Sequence, residues 1–161
     1  TFIKNFTHGS LGLADGTGTP VTLTVACDQG DVSIAGLGET QREVAKYEAR
    51  GVLKSVAHTG RTYPSGSFTA MMADFSEASG TGTLADFVLK QAAYSANAST
   101  LGANAAVYAI DITLTIEGTD FGDANDHTAV MTDCVCTLDF AEGDPNVFTL
   151  NYECLGTVTL T

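Results

Sequence analysis

The chain has no tryptophan, three prolines in 161 residues, and no lysine or arginine after Lys90. Each absence excludes something. Without tryptophan, and with Tyr108 and Tyr152 expected to point inward, a sugar-binding surface built on exposed aromatics has little to use. No apolar run approaches the ~20 residues of a membrane-spanning helix, and no basic segment followed by an apolar one opens the chain. The expectation is a soluble protein without an export signal and with no membrane partner. Residues 91–161 hold ten acids and no base, whereas residues 1–90 hold nine acids against seven bases, so the net charge of −12 lies almost entirely in the second part. A protein that grips nucleic-acid phosphates needs basic residues to displace counterions, so that class is excluded. A surface that nucleic acid must pass without sticking is not.

Chemistry is also scarce. His8, His58 and His127 each stand beside turn-forming residues, and no serine or cysteine occupies a G-x-S-x-G context. The run DFGDANDH, 120–127, lacks the alternating ligands, the glycine and the distal glutamate of a calcium loop. The glycines of GTG and GLG are turns, because no third glycine and no strand-to-helix context follow. Cys27, Cys134, Cys136 and Cys154 do not read as a disulfide framework in a chain of this length, and Cys134 and Cys136 share the apolar side of one strand. The expectation is a protein that is not an enzyme, with no cofactor and no metal.

What is present is period-two alternation. Phe148, Leu150, Tyr152 and Cys154 alternate with Thr149, Asn151 and Glu153; Cys134, Cys136, Leu138 and Phe140 alternate with Asp133, Val135, Thr137 and Asp139. Between them Gly143, Asp144, Pro145 and Asn146 form a turn. A segment from Ala106 to Glu117 alternates in the same way. Such strands have one dry and one wet face. Earlier strands are expected at 21–27, 31–34 and 67–75, and the residues 1–19, rich in Gly and Thr, read as an extended arm. The segment 39–60 is ambiguous, because Arg42, Lys46, Arg50 and Lys54 would line a helix at spacing four and a strand at spacing two. Gly51 and the β-branched Val44, Val52 and Val56 decide for strand. One helix is expected from 84 to about 94, with Thr83 as N-cap and Asp86 completing a capping box. The reading is one domain over 1–161, mainly β, an antiparallel β-sandwich or barrel with a short flanking α-helix and Gly-rich arms and loops.

This order of elements, with Arg50-Gly51, the strand GSFTAMM, the helix TLADFVLKQA and the final hairpin FAEGDPNVFTLNYECLG, resembles the tail tube (major tail) proteins of long-tailed bacteriophages. The resemblance implies a structural virion protein, assembled in the host cytoplasm, whose hexameric rings stack into a hollow tube through which DNA is ejected. Implied partners are further copies of the chain, the tape-measure protein, tail terminator or tip proteins, and DNA in transit. On that footing, Asp111, Glu117, Asp133, Asp139 and Glu153 are candidates to line a phosphate-repelling bore. Arg42, Lys46, Arg50 and Lys54 are candidates to meet Asp120, Asp123 and Asp126 of a neighbouring subunit, since complementary patches set register. The rival expectations are a capsid decoration or fibre-type structural protein and a monomeric β-sandwich binding module.

Overall fold

The computed structural model describes residues 9–25, 32–38, 42–71, 83–119 and 122–161. Cys27, Asp31, the end of the expected 67–75 strand and Asp120 lie outside them. The protein is mainly β, with a large antiparallel sheet and one short helix, as the alternation implied. In chain order the elements are β1 (Gly9–Ala14), β2 (Thr22–Val25), β3 (Ser33–Ala35), β4 (Arg42–Ala49), β5 (Val52–Arg61), β6 (Ser65–Met71), α1 (Leu84–Leu89), β7 (Ile110–Ile116), β8 (His127–Ala141), β9 (Val147–Cys154) and β10 (Val158–Leu160). Eight strands form one sheet in the order β2-β1-β7-β8-β9-β6-β3, with β10 alongside β8, while among the described residues β4 and β5 pair only with each other.

β8 holds the sheet together because it changes neighbours halfway. Its first half lies between β7 and β10, and from Cys134 onward it pairs with β9. A bulge marks the change. Asp133 adopts φ 55°, and its amide donates to the Asp111 carboxylate at 3.0 Å. Across the bulge the buried positions run Met131 then Cys134, three apart instead of two. That broken period hid residues 127–132 from the sequence reading, which began the strand near Asp133. Beyond the bulge the expected phase holds: Phe148, Leu150, Tyr152 and Cys154 are all buried. Both halves of the sheet and α1 contribute to one core, including Leu11, Leu13, Ile112, Phe68, Leu150 and Phe87. Burying one such side chain is worth about 1.5–3 kcal/mol.

Three expectations need correction. Residues 9–14 are not an arm but β1, paired with both β2 and β7, with Leu11 and Leu13 almost fully buried. Gly9 looked like flexibility, yet a Cβ there would lie 1.9 Å from the Thr115 carbonyl oxygen, so the glycine permits close strand packing. The 106–117 strand starts only at Ile110. The helix ends at Leu89, because Lys90 turns left-handed at φ 54°, and a 3-10 turn follows at Ala92–Tyr94. Its start is as expected: Thr83 and Asp86 form the reciprocal capping box.

The turn after β1 is tied down by Asp15, which is 2% exposed. Its carboxylate accepts from the Val21 amide at 2.7 Å, the Thr17 hydroxyl at 2.9 Å and the Ala98 amide at 3.1 Å. Burial raises the Asp15 pKa, but these hydrogen bonds outweigh it and leave the carboxyl below its ordinary range.

Candidate assembly interface

Within the 39–60 segment, where a single strand was expected, residues 39–41 lie outside the described residues and 42–61 form a hairpin. Arg50 and Gly51 both have positive φ, at 50° and 76°, which is the two-residue turn that matches strand twist. Ala49 and Val52 close it. In the middle of the ladder Val44, Lys46, Val56 and His58 share one face, and Ala45, Tyr47, Ser55 and Ala57 share the other. Two register shifts, next to Lys54 and Gly60 on β5, add residues to that strand only and coil the ribbon. The four bases therefore do not form one row. Arg42 and Lys46 share a face of β4, Arg50 sits in the turn, and Lys54 is the extra residue of a bulge.

Among the described residues nothing covers either face of this hairpin. Tyr47, Val52, Leu53 and Val56 are each more than half exposed, and Val44 is 40% exposed. Among the described residues β4 and β5 pack substantially on no other element. A two-stranded ribbon on its own is marginally stable at best in water. Its five bases against two acids give +3, so the rest of the chain carries −15. No ion pair among the described residues engages Arg42, Lys46, Arg50 or Lys54. Arg61 stacks over the Tyr63 ring at 5.0 Å.

The large sheet has the opposite charge pattern. No lysine or arginine occurs in β1–β3 or β6–β10. Asp111, Asp139 and Glu153 all belong to the wet face, with Val135 opposite Glu153 and Asp139 opposite Thr149 in the ladder. Glu117 follows β7 on the same side and accepts from Thr119 Oγ1 at 2.6 Å. Two of the five candidate bore residues have structural tasks: Asp133 forms the bulge and Asp111 accepts its amide. Burial lifts the Asp111 pKa above the usual range, against the lowering effect of that hydrogen bond. Asp139 and Glu153 are exposed, with Asn151 donating to Asp139 at 3.2 Å. Between β6, β8 and β9 this face forms an open groove of about 680 Å³, lined by Ser65, Ser67, Thr137, Asn151 and Glu153 among others.

The expected acidic docking loop is largely occupied with itself. Asp126 Oδ1 accepts from the amides of Gly118 and Thr119 at 3.0 and 3.1 Å, which hold its pKa down to about 2. Asp123 contacts His127 Nε2 at 3.0 Å. The fold thus does not present Asp123 and Asp126 as free partners for a neighbour's bases.

Sequence reasoning missed two open sheet edges. Among the described residues β8 loses β7 after Cys134, so 135–141 pair only with β9, and β6 loses β3 after Ser67, so 68–71 also pair only with β9. Among the described residues the same three strands therefore carry an open edge on each side, and Phe140, 49% exposed, lies on the β8 one. Unpaired edges are templates for another chain. The signal was faint, because it depends on strand lengths that the bulge concealed.

Among the described residues no group of three or more His, Cys, Asp or Glu could hold a metal ion, and no helix is long and apolar enough to cross a membrane. No family model and no curated protein matches the chain.

Proposed function

We propose that this chain is a structural protein that assembles with copies of itself, pairing open sheet edges laterally and covering the β4–β5 hairpin axially. In particular, we read it as a tail tube protein of a long-tailed bacteriophage, forming stacked, hexameric rings around a bore for DNA. The bare hairpin carries the reading: an isolated ribbon with five large apolar side chains in water needs a partner surface. Its charge favours another copy, because a +3 ribbon meets a −15 body. Two unlike edges on opposite sides of three strands support a head-to-tail contact, which closes into rings or continues as filaments. A base-free wet face, rich in Ser and Thr, suits a bore that repels phosphate, and Asp139 and Glu153 are exposed charges on it.

Negative-stain electron microscopy of the concentrated protein tests this. The expected result is annular stacks with a stain-filled bore, lost in Val56→Asp while the dispersed protein melts at an unchanged temperature. Trimers, or particles that coat empty capsids without forming tubes, would instead favour a decoration or fibre protein. Tubes from an Asp139→Lys, Glu153→Lys variant should retain short duplex DNA that wild-type tubes exclude. Equal exclusion by both would remove the bore assignment.

A further inference from the structure

The cysteines of β8 and β9 are not scattered core fillers. Cys134 and Cys154 are direct partners in the ladder, on the dry face, and both are fully buried. The Cys154 amide donates to the Pro64 carbonyl at 2.7 Å, so its backbone polar groups point toward β6 and away from β8. The pair is therefore of the non-hydrogen-bonded kind, in which opposing Cα atoms approach to about 4.5 Å and side chains lie closest. A disulfide requires Cα atoms roughly 4.4–6.8 Å apart. Both thiols are free, and the Sγ atoms lie over the carbonyls of one short stretch of β8: Cys154 Sγ is 3.1 Å from Thr132 O and Cys134 Sγ 3.6 Å from Met131 O. Cys136, by contrast, faces Tyr152 across the ladder and has no opposing thiol.

We propose that Cys134 and Cys154 are a redox pair that closes as a cross-strand disulfide between β8 and β9. The oxidant is a small-molecule disulfide such as oxidised glutathione. One cysteine thiolate attacks it, forming a mixed disulfide and releasing one glutathione thiolate. The second cysteine thiolate then attacks the protein sulfur, forming the Cys134–Cys154 bond and expelling the second glutathione. Two protein thiols lose two protons and two electrons, and the reagent gains them as two thiols. Burial raises the pKa of both thiols and so disfavours their thiolates; the closed sheet therefore protects the pair, and attack runs through opening of the β8–β9 ladder. The bond would close the loop from 134 to 154 and fix the Asp133 bulge beside it. This inference stands on the register alone and does not depend on the assembly reading.

The test uses the full chain carrying Cys27→Ala and Cys136→Ala, treated with oxidised glutathione in urea below the unfolding midpoint. The expected product has lost two hydrogens, resists alkylation, unfolds at higher urea than the reduced form and returns to it on reduction. Adding Cys154→Ala should leave only a glutathione adduct. In the wild-type chain, cleavage after acidic residues, since trypsin cuts nowhere beyond Lys90, should give a 134–154 link with Cys136 alkylated. A link through Cys136 or Cys27, stable adducts on both thiols, or a closed form that unfolds at lower urea would overturn the proposal.

Discussion

Two hairpins of this protein invite comparison. β8–β9 and β4–β5 are both antiparallel, both closed by short turns, and both alternate in sequence. The first buries one face in the core and carries acids as the only charged groups on the other; the second leaves its apolar side chains exposed and carries five of the seven bases. Alternation identifies a strand, but it does not say what the apolar side will meet. In β9 the even residues meet β6, β8 and the core, whereas among the described residues Tyr47 and Leu53 pack on no element outside their own hairpin. Stability therefore resides in the first hairpin, and on the proposed reading the second depends on what is added to it.

The sharpest way to break that contrast is to truncate one leucine in each. Leu150→Ala, at a fully buried position of β9, should lower unfolding stability by about 3–4 kcal/mol in urea titration. Leu53→Ala should stay within about 0.5 kcal/mol in the dispersed protein while weakening assembly. Comparable losses from the two would mean the hairpin is packed after all.

Asp15→Ala should come next, at roughly 2–3 kcal/mol, because two backbone amides lose a charged acceptor in a buried turn. Its pH dependence has a definite sign. A carboxyl lowered by folding contributes stability above its unfolded pKa, and that contribution is lost as pH falls from about 4 through the folded value. Asp111 acts in the opposite sense: its raised pKa favours the folded state in acid, and this is lost as pH rises through the folded value. Asp15→Ala should thus flatten the acid limb of a stability–pH curve, and Asp111→Asn should gain slightly at neutral pH, the amide oxygen still accepting the Asp133 amide.

The smallest effect on stability belongs to charge reversal in the hairpin. Lys46→Glu with Lys54→Glu should change unfolding by less than about 0.5 kcal/mol. It should nonetheless slow association and remove its dependence on salt, as light scattering at two ionic strengths would show. Unchanged association rates would deny the basic ribbon any part in steering.

How much was legible in advance follows from the same physics. The dry face of β9, the capping box at Thr83 and the strand character of 42–61 were readable, because each rests on local period or local hydrogen bonding. β1 was not, since GSLGLA offers only two large apolar residues and its glycines serve close packing that only the β7 partner reveals. The fold of 42–61 back on itself at Arg50-Gly51 escaped notice because arginine seldom takes positive φ. The candidate site was legible in composition and not in arrangement: the basic and acidic groups were identified, but not that Asp123 and Asp126 are engaged in their own loop, nor that Asp111 serves a bulge.

Hydrogen–deuterium exchange tests the central claim most directly, comparing peptides from 42–61 with peptides from 147–154 in dispersed and concentrated, assembled protein. The hairpin amides should exchange far faster than those of β9 while the chains are dispersed, and slow toward them once the chains assemble. Hairpin amides already protected in the dispersed chain, or still exchanging freely in the assembled one, would contradict it.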